Sequence, residues 1–168
     1  FTGLNLEGDR SGVLIKSYNF FEQLFLNQLP YCILFPKHLW EELGGYDEKM
    51  NNGYEDWEFN IRLGAKGYFG LAIHKPLFHY YVSNNGMLLS KSSKIHCELW
   101  SQIQKKHYKI YSFKNLFKNW LFWRKKISTY PLLIYFIWFL IFKLFPCGLF
   151  NNLFKLLLNF SHSNRVQK

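Results

Sequence analysis

Apolar and polar positions along the chain change period several times, and each change marks an element. Residues 1–17 give a weak strand or loop signal broken by Gly3, Gly8 and Gly12. Asn19 to Asn27 (NFFEQLFLN) places apolar residues at helical spacing, and Pro30 closes it. Tyr31 to Phe35 (YCILF) is a short apolar run suited to a buried strand. Pro36 then opens a short helix, PKHLWEEL, at the position where a missing N–H costs nothing, and Gly44-Gly45 stops it. A polar loop, YDEKMNNGY, leads to a second helix from about Glu55, EDWEFNIRLGAK, with Gly67 as its terminating residue. Two short strands follow, Tyr68 to Ile73 and Leu77 to Val82, joined by a His74-Lys75-Pro76 turn. Ser90 to Tyr111 reads as a long, basic, amphipathic helix.

The longest apolar run lies near the C-terminus. Eleven residues from Leu132 to Phe142 carry no charge or turn former, and only Lys143 interrupts the stretch from Tyr130 to Phe150. A spanning helix needs roughly 20 apolar residues, and a run of about 10 to 14 is more often core, interfacial or re-entrant. The run therefore reads as either a single C-terminal span or an interfacial helix. Its flank points to a membrane: Lys114, Lys118, Arg124, Lys125 and Lys126 form a basic collar interleaved with Trp120, Phe122 and Trp123. The membrane contact is assigned to 113–160. Fewer charges follow the run (Lys155, Arg165, Lys168), so the positive-inside bias places the collar on the cytoplasmic side. The alternative is a buried helix pair of a soluble protein.

Charge divides the chain in the same place. The 168 residues carry a formal charge of +10 with 49% apolar residues, a composition that excludes disorder. Residues 1–96 hold nine Lys+Arg and ten Asp+Glu, whereas 97–168 hold twelve and one. The expected organisation is a domain over 1–111 and a basic, aromatic, membrane-associated helical tail over 112–168. Nucleic acid is not an expected partner, because the basic residues border an apolar run rather than a polar groove face. Cys32, Cys97 and Cys147 are odd in number and far apart, without CxxC or metal-type spacing. They read as reduced, mostly buried thiols.

Seven of the eleven carboxylates fall between residues 41 and 58. Glu55 and Asp56 open a helix, where free N–H groups and the positive dipole end stabilise anions. On residue type alone Asp56 is a helix-capping carboxylate. The functional alternative is a general base held on a rigid helix start, with Glu55 hydrogen-bonding a polyol beside it.

The string GGYDEKMNNGYEDWEFNIRLGAKGY resembles the acceptor-side half of glycosyltransferases of the nucleotide-sugar (GT-A) fold, chiefly the inverting family 2, and also the galactosyltransferase C-terminal domain. The shared pattern is Gly44, Gly45, Tyr46, Asp47, Glu48, then Gly53, Glu55, Asp56, Glu58, then Arg62, Leu63, Gly67 and Tyr68. The downstream PLFHYYVSNNGMLLS is similar too, and the likeness covers residues 18–110. It implies an α/β fold, a partial GT-A fold followed by the helical extension, and transfer of a sugar from a nucleotide-sugar donor to a saccharide or lipid-linked acceptor. It also implies a role for each motif residue: Asp56 deprotonates the acceptor hydroxyl, Glu55 holds the acceptor sugar, and Gly53 lies in the flexible loop before them. Trp57 either stacks on a sugar face or serves as a core aromatic. Asp47 and Glu48 order the loop, and Arg62 pairs with Glu58 at i,i+4.

Enzymes of this kind hold a divalent cation, Mn²⁺ or Mg²⁺, on the donor diphosphate. His79 is the candidate ligand here, with His74 second, and the acidic DxD motif that would do most of this work is absent from the chain. The donor-binding half is accordingly expected N-terminal to Phe1, leaving this piece inactive by itself. The competing expectation is a non-catalytic, membrane-tethered binding module whose acidic cluster only caps a helix.

Overall fold

The computed structural model describes residues 1–86, 91–126 and 128–165, with side chains to residue 156. Among these residues the chain is mixed α/β: β1 (Thr2–Gly8), β2 (Gly12–Leu14), α1 (Phe20–Gln23), α2 (Lys37–Leu43), α3 (Glu55–Ala65), β3 (Ile73–Val82), a 3-10 turn (Ser92–Ile95), α4 (His96–Lys106), α5 (Phe113–Trp123), α6 (Leu132–Leu144) and α7 (Cys147–Arg165). The sheet has the order β2-β1-β3, with β1 antiparallel to β2 and parallel to β3.

Several boundaries fall where local chemistry puts them. Asn19 caps α1, its Oδ1 accepting from the N–H groups of Phe21 and Glu22. Pro36 precedes α2, and Gly44 ends it in the left-handed region at φ 74°. α3 begins at Glu55 and stops before Gly67, which has φ 90°.

Other expectations fail for identifiable reasons. Tyr31 to Phe35 forms no strand: Leu34 is 96% exposed, while Ile33 and Phe35 pack against Leu39, Phe59 and Leu63. The segment has the alternation of a strand but no strand pairs with it. The two expected strands around His74-Lys75-Pro76 are one, β3, and Pro76 lies within it opposite Gly3. β3 is the edge of the sheet, where the missing N–H of a proline is tolerated, and the register shifts beside Gly3 absorb the irregularity. Tyr68 lies outside it. The expected helix to Tyr111 is the 3-10 turn plus α4, ending at Lys106; its Ser90 start, and Met87 to Ser90 of the similar segment, lie outside the described residues.

The core draws on residues before and after 111/112. Phe20, Phe21, Leu24 and Phe25 of the α1 region, Trp57 and Ile61 of α3, Trp100 and Ile103 of α4, Trp123 of α5, Tyr135 of α6 and Phe150 of α7 make one buried cluster. Three aromatic donors tie it to the end of α1: Trp57 Nε1 to Gln23 O (2.6 Å), Trp100 Nε1 to Leu24 O (3.1 Å) and Tyr111 OH to Leu24 O (2.7 Å). They satisfy carbonyls that a short helix leaves unpaired.

The apolar run is broken. α6 ends at Leu144, Phe145 turns extended, and Pro146 precedes α7. Among the described residues no helix is long and apolar enough to cross a membrane.

Two of the three cysteines are not reduced thiols. Cys97 and Cys147 form a disulfide joining the starts of α4 and α7, and Cys32 is exposed rather than buried. The 50-residue separation hid the pair, which exists because α7 folds back onto α4.

Candidate active site

The candidate site is built at the start of α3, and the chain enters it under constraint. Gly53 has φ 110° and Tyr54, the residue before the helix, has φ 69°. Two successive left-handed residues reverse the backbone, and for a tyrosine this conformation costs of order 1–3 kcal/mol. Tyr54 is held there by burial: its hydroxyl lies 2.8 Å from Nδ1 of His96, and its ring meets Trp57 edge-on at 5.1 Å. His96 is itself buried, stacked beside Trp57 and Trp100, and desolvation pushes its pKa down to about 3. A neutral imidazole therefore fastens the helix entrance to α4 throughout the physiological range.

Tyr54, not Asp56, is the capping position, and its side chain makes no cap bond. Asp56 stands one position into the helix beyond Glu55, half-buried. Its Oδ1 accepts from the Trp57 N–H at 2.7 Å, and its Oδ2 accepts from Asn27 Nδ2 at 3.1 Å. The Asn27 amide is fixed in turn, its Oδ1 accepting from Gln23 Nε2 at 3.0 Å and facing Asn60 Nδ2 at 3.5 Å. Desolvation raises the Asp56 pKa, and the neighbouring Glu55 charge adds to the rise against the two hydrogen bonds. The carboxylate is thus aimed by its partners and made a better proton acceptor by its surroundings.

Tyr46 and Tyr80 lie within electrostatic reach of the acidic helix start. The charges of Asp56 and Glu55 raise the Tyr46 pKa after burial does, and Asp56 acts likewise on Tyr80. Tyr80 packs with Tyr31 (6.0 Å) and Phe78 (6.4 Å), and Tyr31 is 60% exposed. The acidic helix start therefore has aromatic faces open to solvent nearby.

The other expected site residues separate. Glu55 is half-buried beside Asp56. Trp57 is the core aromatic of its two alternatives, 2% exposed and hydrogen-bonded to Gln23 O. Gly53 is buried, and a Cβ on it would come within 2.5 Å of Ser92 Oγ. His79 points to the opposite side of β3 from Phe78 and Tyr80, with Nδ1 2.6 Å from the exposed Glu7. His74 is exposed as well. No group of three or more His, Cys, Asp or Glu suited to a metal ion occurs among the described residues.

A second acidic centre lies on the same helix. Glu58 is fully buried, 2.9 Å from Arg62, 3.0 Å from Lys106 and 2.7 Å from His107 Nε2. Burial works to raise its pKa, but hydrogen bonds from His107, Lys106 and Arg62 prevail and hold it below the usual carboxylate range. Arg62 also donates to the carbonyls of Leu43 and Gly45, and Lys106 pairs with Asp47 at 2.7 Å. Asp47 Oδ1 accepts from the Lys49 N–H, ordering the loop as expected, while Glu48 is exposed. The pairing of Arg62 with Glu58 was legible from spacing; Lys106 and His107 were not, lying more than forty residues along the chain. Gln23 and Asn27 were also missed. No spacing rule connects them to Asp56, and only their amide side chains hinted at a role.

Comparison with protein-family models, with curated proteins and with solved structures finds no match for this chain.

Proposed function

We propose that the chain is the acceptor-side part of an inverting GT-A glycosyltransferase, with Asp56 as general base. The observation that carries this reading is the bond from Asn27 to Asp56: a half-buried carboxylate of raised proton affinity, fixed at a helix start. An ordinary surface cap needs neither the amide relay nor the strained entrance at Gly53-Tyr54. The motif GGYDE…GYED…RL adds the resemblance.

In the proposed reaction Asp56 takes the proton of an acceptor hydroxyl as its oxygen bonds to the anomeric carbon. The carbon–oxygen bond to the nucleotide diphosphate breaks on the opposite face, and the electron pair leaves with the diphosphate. Glu55 accepts hydrogen bonds from the acceptor sugar, and the exposed Tyr31 ring offers an apolar sugar face something to lie against. The acceptor is a saccharide or a lipid-linked sugar. A divalent cation belongs, in this reading, mainly with the donor-binding region, with His79 the candidate ligand from this chain.

The test is turnover by the protein that carries this chain together with its donor-binding region. Release of nucleoside diphosphate from a panel of nucleotide-sugars should occur with the native sequence and fall by about 10² or more in Asp56→Asn, while donor binding persists. Turnover retained by Asp56→Asn overturns the base assignment.

A further inference from the structure

The last part of the chain carries an apolar face that the described residues leave uncovered. On α6, Leu133, Ile137, Leu140 and Leu144 recur at helical spacing, with exposures of 67, 43, 53 and 75%. The opposite side of that helix is spoken for: Tyr135 packs on Phe21 and Phe25, and Trp138 on Phe150. Lys143, the one charge of α6, turns away from the exposed stripe, bonding Gln104 Oε1 at 3.1 Å and lying over Phe139 and Phe142. The stripe is therefore uncharged along a length of roughly 20 Å.

α5 continues this face and adds charge to it. Phe113, 72% exposed, touches Phe136 at 6.1 Å, and Phe136 lies on the ridge between Leu133 and Leu140. Phe117 and Leu121 repeat the apolar position along α5, while Lys114 and Lys118 are exposed beside them and Arg124, Lys125 and Lys126 are exposed beyond its end. No acidic residue follows Glu98 anywhere in the sequence.

We infer that the outer face of α5 and α6 docks on an anionic lipid surface, with both helices in the plane of the interface. Charge complementarity selects this occupant: a row of cations next to an uncharged aliphatic stripe matches headgroups next to acyl chains. A second copy of the chain would set the same cations against each other. The geometry also fixes the orientation. α6 has 13 residues, about 20 Å, against a hydrocarbon thickness of about 30 Å, and one of its sides is already core. It can be half-immersed but not surrounded by lipid. The inference concerns binding alone and stands whether or not Asp56 transfers a sugar.

Flotation with phosphatidylcholine vesicles, with and without phosphatidylglycerol, tests it. The protein should float with the anionic vesicles, release in high salt or alkaline carbonate, and stay largely unbound to the neutral ones. Leu133→Gln with Leu140→Gln, and separately Lys118→Glu with Lys125→Glu, should each weaken binding by at least about tenfold. All four positions are exposed, so unchanged circular dichroism should accompany the loss. Equal binding to neutral vesicles, or resistance to carbonate, overturns the anionic in-plane mode. Concentration-dependent dimerisation abolished by the Leu pair, without vesicle binding, gives the face to a second copy instead.

Discussion

Asn27 holds Asp56 across 29 residues of chain, its amide donating to the carboxylate at 3.1 Å. The bond stitches the segment after α1 to the start of α3 and gives the acid a fixed direction. It also occupies one lone pair of Oδ2, as the Trp57 N–H does on Oδ1, so the proton Asp56 takes in the proposed reaction must reach a remaining lone pair. Positioning and availability are both set by this contact.

A raised pKa makes Asp56 a stability liability when ionised. The folded state binds the proton more tightly than the unfolded chain, so the stabilisation is complete at low pH and is lost as pH rises through the folded value. Asp56→Asn should therefore be at least as stable as the native chain at neutral pH, and the native chain should lose its advantage as pH rises above the ordinary carboxylate range. Urea midpoints for the two across pH 4 to 8 (roughly, the span between Asp and His titration) read this directly. A substantial loss of stability in Asp56→Asn at neutral pH would mean that the carboxylate is a structural cap.

Glu58 carries the opposite sign. Its folded pKa is held low, so its contribution is present above the ordinary carboxylate range and is lost as pH falls through the folded value. Glu58→Ala takes their shared anion from Arg62, Lys106 and His107, leaving only Lys106 with a second carboxylate, Asp47. The cost should be about 3–5 kcal/mol, measured by chemical denaturation. Lys106→Ala, at an exposed flank of the network, should cost clearly less.

Gly53→Ala should destabilise the chain by about 1–3 kcal/mol, because φ 110° strains any side chain. The new Cβ also meets Ser92 Oγ at 2.5 Å. Adding Ser92→Gly should recover the part due to collision and leave the part due to backbone strain. Thermal unfolding of the single and double variants separates the two, and full recovery would show that the backbone conformation carries no cost.

The disulfide gives a chemical prediction. Alkylation without reductant should modify Cys32 alone, and all three cysteines after reduction and unfolding. Closing a loop of this size stabilises by about 4 kcal/mol in the chain-entropy account, so reduction should lower the urea midpoint markedly. Three modified cysteines in the untreated, freshly isolated protein would exclude the cross-link. Such bonds persist in oxidising compartments.

What the sequence determined was local. Asn19, Pro36, Gly44 and Gly67 bound their helices through caps and backbone freedom, properties of one or two residues and their nearest neighbours. The same holds for the Arg62–Glu58 pair, one helical turn apart, and for the acidic start of α3. What only the tertiary structure decided was pairing at a distance. It made one edge strand of the HKP segment, left YCILF without a strand partner, drew Lys106 and His107 to Glu58, and set Asn27 on Asp56. It also folded the tail onto α4, burying Tyr135 and Phe150 in the core with Trp100 and joining Cys97 to Cys147. The physical reason is the same throughout: periodicity records which side of an element is apolar, but not which other element covers it. For α6 that distinction is visible directly, since one face of its apolar run is core and the other is exposed.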